Sequence, residues 1–260
     1  MDNSTTSLQE SIHYAAALLR SARRAIVLTG AGISTPSGIP DFRSEGQGLW
    51  AKDQPLEVAS QTTFRTQPQA FFNWFRPLAS SIFNAQPNAA HFALSQMEEK
   101  GLLQAILTQN VDILHQKAGS RRVIELHGTL GTLSCTQCYH QQDSRPFLDA
   151  FVQQGKLPHC PDCGGLLKPD VILFGEQLPY RPWQEAQAEA RSCDLMLVAG
   201  SSLEVLPAAG LPMQAIDRGA HLIIINRQPT YISVRADLNI YADVAEALPL
   251  LAAEIFAHEP

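Results

Sequence analysis

The feature that most constrains this chain is a short apolar run that breaks into a glycine turn. Ala25-Ile26-Val27-Leu28-Thr29 leads directly into Gly30-Ala31-Gly32-Ile33-Ser34-Thr35, and on through Pro36 and Gly38 to Asp41-Phe42-Arg43. The run predicts a buried strand, and the Gly-x-Gly behind it predicts a handover to a phosphate-binding loop. Thr35 stands where the third glycine of G-x-G-x-x-G would be, so the loop departs from the pattern of hydride-transfer enzymes. The polar groups crowded after it suit a site that breaks a dinucleotide.

Further strand-like runs recur at 105–108, 123–126, 195–199 and 222–225, each ending in a sharp break or polar cluster. Helical patterns lie between them. Ser7-Leu8-Gln9-Glu10 reads as a capping box ahead of Ile12, Ala15, Ala16 and Leu19, and 68–83 and 87–100 read as two more helices. Strands alternating with helices, with polar residues at strand ends, describe an α/β fold: a Rossmann-like, doubly wound parallel sheet with its ligand at that edge. At 260 residues the chain accommodates a large domain with a small insertion. The expected division is 1–43, 86–128 and 171–260 as the large ligand-binding domain, 44–85 as a helical insertion, and 129–170 as a small module.

That module carries Cys135, Cys138, Cys160 and Cys163, two C-x-x-C pairs in a stretch rich in Gln, Pro and Gly with little helical period. Four thiolates complete a closed tetrahedral Zn2+ site, which stabilises rather than catalyses. A redox pair is the competing reading, and the second matching pair weighs against it. Cys193 stands alone before a strand, as a small core residue does.

Three polar clusters follow strand-like runs. Gln109-Asn110-Val111-Asp112 can hydrogen-bond a ribose or an amide, or Asn110 or Asp112 can simply cap a helix. Glu125-Leu126-His127-Gly128 places a histidine at a strand end beside the cysteine module, where a general base or a structural histidine would sit. Gly200-Ser201-Ser202 makes a second strand-to-helix turn, while Asn226 and the Asp243-Val244 pair are placed to flank a purine and its ribose.

Together, these segments resemble the sirtuins, NAD-dependent protein-lysine deacylases. The resemblance runs in order along nearly the whole chain: Gly30–Ser34 with Ser37–Arg43, Thr108–Asp112 with Leu114-His115, Glu125–Gly128, the paired C-x-x-C, Val171–Glu176, Gly200–Ala208 and Asn226. It implies that Gly30, Ala31, Gly32, Thr35, Asp41, Phe42 and Arg43 form the NAD loop, the last three as a lid. Gln109, Val111 and Asp112 would hold the ribose and nicotinamide side, with Asn110 and His127 catalytic and His127 the base. Gly200, Ser201, Ser202, Asn226, Asp243 and Val244 would take the adenosine half. Val171, Ile172, Phe174, Gly175 and Glu176 would form a strand against which an acyl-lysine protein or peptide lies extended. The implied products are free lysine, nicotinamide and O-acyl-ADP-ribose.

Relatives that prefer succinyl or malonyl lysine carry Tyr and, three residues on, Arg. Phe72 and Phe75 hold those positions here, and Arg76 falls one residue too far, turned away by about 100° on a helix. An acidic acyl group would be buried without a partner, so acetyl or other uncharged groups are expected. Core packing of a helical insertion explains the same aromatics equally well. The rivals are an NAD-dependent mono-ADP-ribosyltransferase and a non-catalytic NAD- or peptide-binding module. A net charge of −6 argues against direct nucleic-acid binding. No run is long enough for a membrane span and Met1–Ser7 lacks a signal-peptide pattern, so a cytoplasmic location is expected.

Overall fold

The run Ala25–Thr29 forms strand β1, and every residue of it is buried. The computed structural model describes residues 7–40 and 55–257. Within them the strands are β1 (Ala25–Thr29), β2 (Leu103–Thr108), β3 (Val123–Glu125), β4 (Gly128–Cys135), β5 (Gln141–Asp143), β6 (Leu167–Val171), β7 (Leu195–Ala199), β8 (His221–Ile225) and β9 (Leu238–Ile240). The helices are α1 (Leu8–Ser21), α2 (Pro55–Val58), α3 (Gln61–Thr66), α4 (Pro68–Asn84), α5 (Ala89–Glu99), α6 (Leu114–Lys117), α7 (Arg145–Gln154), α8 (Tyr180–Ser192), α9 (Leu211–Ile216) and α10 (Val244–Phe256).

Six strands form one parallel sheet in the order β3-β2-β1-β7-β8-β9. Side chains alternate across it. Val27, Leu197 and Ile223 pack with α1, α5 and α10 on one face, while Leu28, Val198 and Ile224 pack with α8 and α9 on the other. Both faces are covered, which is why these strands read as continuous apolar runs rather than as alternating ones. The capping box at α1 forms as expected: Glu10 N–H donates to Ser7 Oγ, and Ser7 N–H donates to the Glu10 carboxylate. Cys193 is buried at the end of α8, its thiol donating to the Ala190 carbonyl.

At the sheet edge away from the strand C-termini, Glu189 of α8 is buried between two guanidiniums. Arg24, just before β1, and Arg122, just before β3, each donate to its carboxylate at 2.6 Å. Removing the shared carboxylate leaves two cations facing each other. Glu189→Ala is expected to cost about 2–3 kcal/mol, less than the ~3–5 kcal/mol of a fully buried pair, because both arginines reach water. A shifted urea midpoint at unchanged m-value would show it; an unshifted midpoint would make the triad a surface ornament.

A second, antiparallel sheet, β5-β4-β6, carries the cysteines. Cys135 ends β4, and Cys160 and Cys163 lie in the turn ahead of β6. The stretch also contains α7, which corrects the expectation of little helical period there: Phe151 is buried, and Phe147 and Val152 pack partly buried beside it. A third core joins α3 and α4 to this sheet through Phe64, Phe71, Phe72, Phe75 and Phe151. The expected strand over Val171–Glu176 is shorter than the sequence suggested. β6 ends at Val171, and the chain then turns, with Phe174 making one parallel bridge to Ser60.

Candidate active site

The C-terminal ends of four strands are level, because Thr29 pairs with Thr108 and Ala199, and Ala199 with Ile225. From β1 the chain continues to β2 on one side, whereas β7 lies on the other and leads on to β8. The connection from β1 to β2 therefore crosses one face through α5 and that from β7 to β8 the other through α9, which opens the crevice that such sheets use for ligands. A cleft of about 1410 Å³ lies there. That exceeds the 300–1,000 Å³ typical of a single small-molecule site.

The glycines of the β1 loop serve packing. A Cβ on Gly32 would sit 2.8 Å from the Gly200 carbonyl oxygen, and one on Gly200 (φ +63°) 2.4 Å from the Ile33 nitrogen. The two loops thus meet backbone to backbone, with Gly32 N–H donating to Gly200 O. The N–H groups of Gly30, Ile33 and Ser34 are likewise spent on protein carbonyls. Four N–H groups of the loop thus brace it against its neighbours, and Gly30, Ala31, Gly32 and Thr35 line the cleft.

The β2 loop is tied to the β1 loop. The Asn110 carboxamide donates to the Gly30 carbonyl at 3.1 Å and to Ser34 Oγ at 3.0 Å. Ser34 Oγ donates to the buried Asp112 carboxylate at 2.6 Å. Burial raises the Asp112 pKa, against the lowering effect of the bonds from Ser34 and Leu114. Gln109 Nε2 donates to Ser201 Oγ at 2.8 Å, joining the β2 loop to the β7 loop. Asn110 and Asp112 thus hold loops in place, and Ser34, which drew no role from the sequence, joins them.

His127 stands at the cleft wall just after β3. Its Nδ1 lies 2.9 Å from the Gln109 carbonyl oxygen. A carbonyl only accepts, so Nδ1 carries the proton and Nε2 holds the lone pair. Burial lowers the His127 pKa, opposed by the bond to Gln109. The ring is neutral at physiological pH, the state a general base needs.

The other expected residues fall into place unevenly. Ala31, Thr35, Val111, Ser202, Asn226 and Val244 line the cleft, as do Val171, Ile172, Phe174, Gly175 and Glu176. Asn226 donates to the Ser201 and Gln228 carbonyls. Asp243 also lines it, but its carboxylate caps α10 through Ala245 N–H and pairs with Arg227. Asp41, Phe42 and Arg43 lie outside the described residues. Phe75 lines the cleft, whereas Phe72 is turned into the aromatic core against Phe64 and Phe151. Phe71, Trp74, Leu78 and Ile82 share the Phe75 face of α4. Helical spacing from Phe71 already marks Trp74 and Leu78 as its neighbours. Arg76 points elsewhere, donating to the Val152 and Gln153 carbonyls at the C-terminus of α7.

The four thiol sulfurs gather within 4.8 Å of one another. Cys135 and Cys163 Sγ are 3.4 Å apart, and Cys138 and Cys160 Sγ 3.7 Å. Four sulfurs at about 2.3 Å from a tetrahedral zinc would be about 3.8 Å apart. A Cβ on Gly165 would meet Cys135 Sγ at 2.8 Å, so the knuckle closes only on glycine. The set fits one structural zinc ion.

Residues 30–207 match the model of the Sir2 family. The chain belongs to that family. It is similar to NAD-dependent protein deacylase 2 of Archaeoglobus fulgidus, 45% identical over 95% of this chain and 97% of that protein. It is also similar to a Sir2 homologue solved with NAD, at TM-score 0.85 and 38% identity, covering 93% of each chain. A third likeness is to a Sir2 variant solved with a deacetylated p53 peptide and 3′-O-acetyl-ADP-ribose, at TM-score 0.87 and 37% identity over 94% of this chain and 98% of that one. No helix among the described residues of this Sir2-family chain is long and apolar enough to cross a membrane.

Proposed function

We propose that this chain is an NAD-dependent protein-lysine deacylase that releases free lysine and nicotinamide and leaves the acyl group on ADP-ribose. The carrying observation is the ring of His127, fixed by the Gln109 carbonyl with its basic Nε2 left for the cleft. Bound NAD would supply an ADP-ribosyl group whose bond to nicotinamide breaks; the acyl oxygen takes that place on the ribose, the amide C–N bond breaks to free lysine, and one water balances the reaction as the acyl group passes to a ribose hydroxyl. His127 Nε2 takes the proton from a ribose hydroxyl so that its oxygen can attack the acyl carbon. Gln109, braced on Ser201, holds the imidazole's other nitrogen. Asn110 and Asp112 keep the β2 loop against the β1 loop, so Asn110 acts by positioning in this reading. Gly30, Ala31, Gly32 and Thr35 would face the cofactor from the β1 loop. Gly200, Ser201, Ser202, Asn226, Asp243 and Val244 would face its adenosine half.

The acyl-lysine peptide would enter beside 171–176, with exposed Val205 and Leu206 across the cleft. Net charge supports a protein rather than a nucleic-acid partner. The division into 1–43, 86–128 and 171–260, 44–85 and 129–170 assigns the cleft to the junction of all three parts.

Uncharged acyl groups are preferred in this reading. The α4 wall offers Phe71, Trp74, Phe75, Leu78 and Ile82, and no Lys or Arg among the described residues lines that end. Phe75→Arg should raise desuccinylation kcat/KM by at least about tenfold, the worth of one charge-assisted hydrogen bond, while lowering deacetylation. No gain in desuccinylation would remove Phe75 from the acyl pocket.

The function is tested by incubating the protein with NAD and an acetyl-lysine peptide and following peptide mass and nicotinamide together. One nicotinamide per acetyl lost is the expected result. Nicotinamide release with the peptide still acetylated would favour ADP-ribosyl transfer instead.

A further inference from the structure

Beneath the floor of the cleft lies a buried polar cluster that the chemistry above does not use. Thr29 and Thr108 end β1 and β2 side by side, and Thr29 Oγ1 donates to Thr108 Oγ1 at 2.9 Å. Thr108 Oγ1 also accepts from Asn110 N–H at 3.1 Å, which places the β2 loop. Thr29 has then given its proton away, so its contact with His115 Nε2 at 3.0 Å requires that nitrogen to donate. His115 Nδ1 is left as an acceptor. On α5, the N–H of Asn88 donates to His91 Nδ1 at 3.3 Å, so His91 carries its proton on Nε2.

Both remaining atoms are orphans. His91 Nε2 and His115 Nδ1 are buried without a hydrogen-bond partner among the described residues, and their rings stand 4.9 Å apart between centroids. One is a donor and the other an acceptor. A third orphan, Ser120 Oγ, belongs to the residue whose N–H donates to the His115 carbonyl. Buried polar atoms left unpaired cost about 1–3 kcal/mol each, and a water with two or more polar partners is the usual remedy.

We propose that one water molecule is an integral ligand of this protein, accepting from His91 Nε2–H and donating to His115 Nδ1, and that through it His115 is a positioning residue for the catalytic loop. The water closes a circuit. Asn88 also donates from its carboxamide to the Ile33 carbonyl and Ser37 Oγ of the β1 loop. The path therefore runs from that loop through Asn88, His91, the water, His115, Thr29 and Thr108 to Asn110, whose side chain returns to Gly30. Burial holds His115 to a pKa of about 3, with His91 adding to the lowering, and burial holds His91 to about 4. Both rings therefore stay neutral and keep these tautomers at working pH.

The water site stands without the deacylase reading, whereas the positioning role rests on it. Two-bond 1H–15N spectra of the labelled wild-type protein should show both rings protonated at Nε2, with a cross-relaxation signal from His91 Nε2–H to a long-lived water. An Nδ1-protonated ring, or no such water, overturns the site. The kinetic arm compares His115→Phe with His115→Gln, which keeps a donor for Thr29. The Phe variant should lose about tenfold in kcat, equivalent to about 1.4 kcal/mol, at unchanged peptide KM, and Gln should restore most of it. A folded Phe variant with wild-type kcat, or a Gln variant no better than Phe, overturns the role. An inactive wild type would fail the deacylase reading while leaving the spectra to decide the water.

Discussion

His127→Ala is expected to lower deacylation kcat by about 10²–10⁴-fold, the range a positioned general base contributes. The ring is half-buried and lines the open cleft, so its removal should leave folding and zinc content intact. The pH profile separates a base from a mere cleft-lining ring. The base must be neutral, and burial sets its pKa below the ordinary 6.5 of histidine. Activity should therefore be level near pH 7 and fall only as pH drops below 6.5 through that lowered pKa. An alanine variant that keeps the same acid limb would assign the limb, and the base, to another group. An acid limb centred above 6.5 would contradict the buried, neutral imidazole.

Loss of one zinc ligand is expected to be as severe. Cys160 is buried in the small core with Leu133, Cys135 and Leu167, and its Sγ is one of the four converging sulfurs. Structural zinc in finger peptides is worth on the order of 10–16 kcal/mol of apparent binding energy. The cluster also pins β4 to β6, and the N–H of Ile172 just past β6 donates to the His127 carbonyl. Cys160→Ser should reduce zinc from one per chain towards none by metal analysis, and abolish turnover by releasing that wall of the cleft. Full activity in a zinc-free variant would show that the second sheet holds its shape unaided.

Much of the site was legible in the sequence, for reasons that differ by residue. His127 and Gln109 follow directly on strand-like runs and Ser201 one residue after another, and parallel strands with level ends bring such positions together. The four cysteines carry their geometry in their spacing, since each C-x-x-C turn presents two sulfurs to one point. Phe72 was misplaced because a family register says which residues correspond, not which face of α4 meets the cleft. The neighbours of that helix decide the face: Phe64 and Phe151 claim Phe72, leaving Phe75 with Trp74 and Leu78 for the cleft. Helix α7 was missed because its apolar period, Phe147-Leu148 and Phe151-Val152, spans little more than one turn within a stretch otherwise rich in Gln, Pro and Gly.

The chain's pattern of apolar runs, turns and cysteines by itself determined the parallel α/β sheet, the zinc quartet and the order of the polar loops, because these depend on short-range periodicity and spacing. Only the tertiary structure decided how those loops are used. It pressed Gly32 against Gly200, spent the N–H groups of Gly30, Gly32, Ile33 and Ser34 on carbonyls, and set the Gln109 carbonyl against His127 so that Nε2 keeps the lone pair. Those outcomes depend on atoms distant in sequence meeting at hydrogen-bond range, and no local pattern encodes a distance across a fold.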